Sequence, residues 1–121
     1  MGYRPIIGIS MGDPAGNGPE ITVKALNNRD IYDRCRPIMI GDAKMLEQAK
    51  KYVNLPNIKI NPVTSISEAQ FNPGTIDVYQ LDLIKDVNSF EIGKISKEGG
   101  NAAFQSVKKL IELAMAGEVD A

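Results

Sequence analysis

The chain has 121 residues, with 14 Lys and Arg against 15 Asp and Glu and no histidine, a formal net charge of −1. Its 43% apolar and 24% charged residues suit one globular domain with a core of its own. The near-neutral charge removes the electrostatic basis for nucleic-acid binding, no apolar run nears the ~20 residues of a membrane helix, and a lone Cys35 excludes an internal disulfide, so a soluble, cytoplasmic protein is expected.

In chain order, Pro5–Ser10 predicts a buried strand, because its apolar run lacks polar alternation. Pro19 to Leu26 predicts a helix. Pro19 suits the first helical position, where its missing N–H is no loss, Glu20 favours the positive end of the helix dipole, and Asn27-Asn28 mark the end. Pro37–Gly41 is a second apolar run, and Asp42 is placed to cap a helix from Ala43 to about Tyr52 with Leu46 and Ala49 on one face. Ile58-Lys59-Ile60 predicts a third strand, Phe71–Gly74 a turn, and Thr75–Tyr79 a fourth strand. Residues 82–100 predict no element.

Asn101 to Met115 has the strongest helical periodicity, with Phe104, Val107, Leu110, Ile111 and Ala114 on one stripe and Leu110, Leu113 and Met115 expected in the core. Gly117 stands where a C′ glycine belongs. Strands alternating with helices predict a mostly parallel α/β sheet with flanking helices. Glu118–Ala121 falls where a further strand should begin. A layered sheet cut there would leave an open edge and an uncovered apolar helix face. Residues 1–121 are therefore expected to be the N-terminal α/β portion of a larger protein.

The most informative stretch is Met11-Gly12-Asp13-Pro14-Ala15-Gly16-Asn17-Gly18-Pro19-Glu20, joining the first strand to the first helix. Gly12, Gly16 and Gly18 let the backbone turn sharply and approach a ligand, and such strand ends are where open α/β sheets bind ligands. The standard fingerprints fail: Ile21 replaces the third glycine of a dinucleotide loop, and Gly18-Pro19-Glu20 replaces the Gly-Lys-Ser/Thr ending of a phosphate loop. Asp13 and Glu20 put negative charge where a phosphate would sit, so a hydroxyl-bearing group suits the corner better. A tight structural corner with Asp13 capping backbone donors explains the same residues.

Other candidates are weaker. Lys94, Lys97, Lys108 and Lys109 read as a solvated face, and Ser96–Asn101 as either an anion-binding corner or a helix cap. Tyr3, Tyr32, Tyr52 and Tyr79 read as packing, and Cys35 as a core thiol without a histidine to activate it. Without histidine, neither a Ser-His-Asp triad nor the usual zinc site can be built within one copy.

The run Met11 to Ile21 closely resembles the N-terminal signature of the 4-hydroxythreonine-4-phosphate dehydrogenase family, with Asn17 where members usually have isoleucine. The likeness continues through Ile40-Gly41-Asp42, Phe71–Gly74, Gly99–Ala103 and Glu112–Ala121. It implies the front third of a two-domain fold similar to isocitrate and isopropylmalate dehydrogenases, working as a homodimer. The implied activity is a metal-dependent oxidation of a 4-phosphorylated hydroxy acid by NAD or NADP, with loss of CO₂ in the type enzyme. The family's metal, zinc being the expected one, is held by three histidines expected beyond Ala121, so no catalytic or metal residue is carried onto this chain, and the chain alone is expected to be inactive. The resemblance assigns cofactor or substrate contact to Gly12, Asp13, Gly16, Gly18 and Glu20. Phe71–Ile76 and Gly93–Ser96 look more like the D-threonate or D-erythronate 4-phosphate branch than the vitamin B6 enzyme. Two rivals stand beside this: a non-catalytic binding or assembly module of the same fold, and an acyltransferase of the phosphotransacetylase type, for which the Gly12-Asp13-Pro14 turn is a poor acetyl-phosphate cradle.

Overall fold

The computed structural model describes residues 3–12, 16, 18–85 and 96–121. Four parallel strands, β1 (Ile6–Ser10), β2 (Arg36–Gly41), β3 (Lys59–Val63) and β4 (Thr75–Gln80), form one sheet in the order β1-β2-β4-β3. The helices are α1 (Gly18–Leu26), α2 (Arg29–Arg34), α3 (Ala43–Tyr52) and α4 (Lys97–Met115). Ile38, Met39, Ile40 and Val78 are fully buried, as a sheet covered on both faces requires. One face packs Met39, Ile76 and Val78 against Val23, Leu26, Leu46 and Ala49 of α1 and α3. The other packs Ile38, Ile40 and Val63 against Leu113 and Leu110 of α4.

The structure departs from the expected elements in several places. Helix α2 lies in a stretch that was given no element: Asn28 caps it by accepting from the Asp30 amide at 2.9 Å, and its one buried residue, Tyr32, anchors it. Six residues are too few for periodicity to show. Strand β3 runs on through Pro62, which is tolerated because β3 is an edge of the described sheet. Helix α4 starts at Lys97 rather than Asn101, because Ser96 Oγ accepts from the Gly99 amide at 2.9 Å and stabilises a first turn containing two glycines. The cap reading of Ser96–Asn101 is thus the one realised.

The side of α4 that faces the sheet is not the expected stripe. Its buried residues are Gly99, Ala102, Ser106 and Leu113, whereas Phe104, Val107, Ile111 and Met115 are 60%, 44%, 53% and 85% exposed. The uncovered apolar helix face expected from the sequence is present. At its end, Gly117 has φ +76°, and the Gly117 and Glu118 amides donate to Ala114 O and Leu113 O, the paired bonds of a Schellman motif.

Residues 119–121 then run beside β1. Val119 is buried, the Asp120 amide donates to Ile6 O at 2.8 Å, and the Gly8 amide donates to Ala121 O at 2.8 Å. Asp120 Oδ2 accepts from Tyr3 Oη at 2.6 Å and from the Ile6 amide at 2.8 Å, which holds its carboxyl below the usual range. Of the four tyrosines read as packing, Tyr32 is buried, whereas Tyr3 is exposed with the Arg36 guanidinium over its ring and Tyr52 is exposed too. Cys35 is half-buried rather than a core thiol.

Candidate functional site

A parallel sheet brings all its strand C-termini to one edge, and the register aligns them: Ser10 pairs with Ile40, and Gly41 with Gln80. The segments leaving that edge are Met11-Gly12, Asp42-Ala43 and Leu81–Ile84. The glycine-rich corner therefore sits beside the N-terminus of α3 and the exit of β4.

Met11 is the plug of this corner. It is buried, and its amide donates to Ile40 O at 2.9 Å, extending the β1–β2 ladder by one bond. Two glycines make room for it: a Cβ on Gly41 would lie 2.6 Å from Met11 Cβ, and one on Gly18 would lie 2.3 Å from Met11 O. Gly18 is thus used for packing strand against helix. Gly12 differs, having φ +76° with nothing within 4 Å of where a Cβ would stand. It needs glycine for its backbone conformation and faces open space. Gly16 is exposed, and Glu20 is half-buried in the first turn of α1. Asp13 and Asn17 lie outside the described residues, as does Lys94.

Beside the corner is a polar network of which the sequence signals only the Asp42 cap. Asp42 is fully buried. Its Oδ1 accepts from the Lys44 amide at 3.0 Å and from Gln80 Nε2 at 2.9 Å, and its Oδ2 accepts from the Ile84 amide at 3.0 Å. Gln80 Oε1 accepts from the Ala43 amide at 2.8 Å, while Gln80 Nε2 also reaches Asp82 Oδ1 at 2.9 Å. Lys44 Nζ donates to Ile84 O at 2.6 Å and lies 3.8 Å from Asp42 Oδ2. Asp82 is exposed with φ +50°, an uncommon conformation for a residue other than glycine. Gln80, Asp82 and Lys44 carry no signal of their own in sequence, since what joins them is the β2–β4 pairing, a contact between residues almost 40 positions apart.

This edge can offer hydrogen-bond acceptors and open backbone to a ligand's hydroxyl groups. It has little to offer a phosphate, with the carboxylates of Asp42, Asp82 and Glu20 about it and Lys44 already engaged. Lys108 and Lys109 approach the exit of β4 from α4, with Gln105, Glu112, Leu81 and Leu83 around an open cavity of about 210 Å³, and Lys109 is paired with Glu112 at 3.0 Å. Among the described residues no three of His, Cys, Asp or Glu are grouped to hold a metal ion. No helix among them is long and apolar enough to cross a membrane.

A family model described as "Pyridoxal phosphate biosynthetic protein PdxA" matches residues 33–121. A Clostridium botulinum (strain Hall) protein named "Putative D-threonate 4-phosphate dehydrogenase" is 48% identical over 118 residues, which cover 98% of this chain and 35% of that protein. A Symbiobacterium thermophilum protein of the same name is 42% identical over 121 residues, 36% of its length. Among solved structures, a 4-hydroxythreonine-4-phosphate dehydrogenase from Burkholderia phymatum superposes with a TM-score of 0.92 at 44% identity, covering 98% of this chain and 35% of that one. The chain thus spans about a third of the length of the relatives it matches.

Proposed function

The chain belongs to the PdxA family of pyridoxal phosphate biosynthetic proteins, and from that premise we propose that it forms the first third of a dehydrogenase acting on a 4-phosphorylated hydroxy acid. The observation that carries this reading is the extent of the likeness: 98% of the chain aligns at 48% identity with a relative named for D-threonate 4-phosphate oxidation. D-Threonate 4-phosphate, or the related D-erythronate 4-phosphate, is the first substrate in this reading, and 4-hydroxy-L-threonine 4-phosphate the second. NAD or NADP is the hydride acceptor, in a cytoplasmic homodimer.

Within that enzyme the contribution of these residues is binding. Gly12, Gly16 and Gly18 shape the corner, Asp13 accepts a hydrogen bond from a hydroxyl of substrate or coenzyme ribose, and Glu20 keeps the nearby field negative. Asp42 and Gln80 hold the corner's neighbours rigid, so that Met11 and Gly12 keep their places. The described residues do not fit a metal. The divalent ion implied by the family would be held by residues outside them, where it would polarise the substrate alcohol. A non-catalytic assembly module remains the second reading, favoured by the exposed apolar side of α4.

The test is a graft of these 121 residues in place of the matching third of the Clostridium botulinum relative. The graft is assayed for NAD or NADP reduction with each of the three phosphorylated acids and added divalent metal. Turnover by the graft, fastest with D-threonate or D-erythronate 4-phosphate, and none by the 121-residue chain alone is the expected result. A folded graft inactive on all three would overturn the dehydrogenase reading, and turnover by the chain alone would overturn the division of labour.

A further inference from the structure

Asp82 stands just beyond β4, at the C-terminal edge of the sheet, exposed and with φ +50°. Unlike Asp42 it caps no helix, and among the described residues it pairs with no cation. Glycine takes a left-handed backbone at lower cost, so the turn itself does not call for an acid. The carboxylate is nonetheless fixed in place. Its Oδ1 accepts from Gln80 Nε2 at 2.9 Å. The same nitrogen donates to Asp42 Oδ1 at 2.9 Å, and Gln80 Oε1 accepts from the Ala43 amide at 2.8 Å. Gln80 is thus held through both ends of its amide at the start of α3, and it holds one oxygen of Asp82 in turn. The other oxygen, Oδ2, receives no donor among the described residues. The amine of Lys44 does not compete for it, being taken by Ile84 O at 2.6 Å.

The sheet sets this carboxylate one strand away from the glycine-rich corner. The Met11 amide donates to Ile40 O at 2.9 Å and the Leu81 amide to Gly41 O at 3.0 Å, so the exits of β1, β2 and β4 rise side by side. Only β2 lies between Gly12 and Asp82, and two strand spacings come to about 10 Å. Gly12 contributes open backbone, with nothing within 4 Å of where a Cβ would stand. A carboxylate only accepts hydrogen bonds, and with one oxygen anchored and the other open it matches a pair of adjacent hydroxyl groups.

We propose that Asp82, positioned by Gln80, accepts both hydroxyls of a vicinal diol on the ligand bound at this edge and sets ligand specificity there. The assignment rests on the dehydrogenase reading above. In that enzyme two ligands carry such a diol: the adenosine ribose of NAD, and the 2,3-diol of D-threonate or D-erythronate 4-phosphate. NADP carries a 2′-phosphate in place of one ribose hydroxyl, and the Asp82 carboxylate repels it.

The experiment compares Asp82→Asn, Asp82→Gly and Gln80→Leu in the graft described above, with Tm recorded beside steady-state kinetics. Asn and Gly both accept φ +50°, so the Asp82 variants should stay within about 2 °C of the parent Tm. A ribose diol shows as a fall of about tenfold or more in the ratio of kcat/KM with NAD to that with NADP, the KM of the acid holding steady. A sugar-acid diol shows as a rise of about tenfold or more in the KM for D-threonate and D-erythronate 4-phosphate, with the coenzyme ratio holding steady. Either result supports the proposal and names the ligand. Gln80→Leu releases the carboxylate without removing it, and should move the same parameter in the same direction by a smaller factor, which a loss of stability alone would not do. An active graft in which both parameters stay within about twofold on either Asp82 substitution overturns the assignment and leaves the dehydrogenase reading standing. A folded graft without turnover overturns that reading and the assignment with it.

Discussion

Helices α3 and α4 both show apolar residues at helical spacing, yet they turn opposite kinds of side toward the sheet. In α3 the large aliphatic residues face in: Met45 and Leu46 are buried with Ala49, while Lys44, Glu47, Lys51 and Tyr52 are exposed and Glu47 pairs with Lys50 at 3.0 Å. In α4 the large residues Phe104, Ile111 and Met115 face out, and the helix lies close over β1 and β2 on its small ones. Its closeness is visible at Gly8, where a Cβ would stand on top of the Leu110 side chain. Ser106 is fully buried there without loss, since its hydroxyl donates to Ala102 O at 2.9 Å. Hydrophobic periodicity identifies a helix in both cases. It identifies the inner side only when the apolar residues are confined to one side of the helix.

That contrast makes quantitative predictions. Leu46→Ala empties a fully buried site between α3 and the sheet and should cost about 2–5 kcal/mol in urea unfolding. A cost below about 1 kcal/mol would mean that α3 is not seated as described. Asp42→Ala removes the α3 cap and strands the Gln80 and Ile84 donors, for a loss of about 2–4 kcal/mol. Asp42→Asn, which keeps an acceptor, should recover part of it.

Tyr32 anchors α2 by donating to Thr75 O at 3.0 Å, and Tyr32→Phe should cost about 1 kcal/mol. Burial above all, then the nearby Asp77 carboxylate, pushes its phenol up to about 12. Because a free tyrosine ionises near pH ~10, the unfolded chain loses this proton first. The stability from the neutral phenol is complete below about pH 10 and disappears as pH rises toward 12. Tyr32→Phe should flatten that part of a stability–pH curve, and an unchanged slope would place the alkaline transition elsewhere.

Gly117→Ala forces a side chain into φ +76° and should cost about 1 kcal/mol, measured by the shift in urea midpoint. The smallest effect belongs to the outer side of α4: Ile111→Ala in the 121-residue chain should stay within about 0.5 kcal/mol of zero. An Ile111→Ala loss as large as that of Leu46→Ala would erase the contrast between the two helices.

The four strands and the long helices were legible because their signals are local. The Pro5–Ser10 and Pro37–Gly41 runs, the Asp42 cap, the Phe71–Gly74 turn and Gly117 each act within a few residues. The missed features depend on partners far along the chain. Helix α2 is held by Tyr32 reaching Thr75, β3 tolerates Pro62 only as an edge, and Gln80 meets Asp42 through strand pairing. The loop from Gly12 to Glu20 was legible as a corner from its glycines, but composition could not separate packing glycines from open ones. Gly18 and Gly41 make room for Met11, while Gly12 has free space over it.

The central claim, that the Gly12–Glu20 corner lines the substrate and coenzyme site of a dehydrogenase, is tested most directly by Asp13→Ala in the active graft, with steady-state kinetics and Tm recorded on the same sample. A fall in kcat/KM of about tenfold or more at unchanged Tm is predicted, the size expected when one hydrogen bond to bound ligand is lost. Unchanged kinetics would contradict the claim and leave the corner a structural turn between β1 and α1.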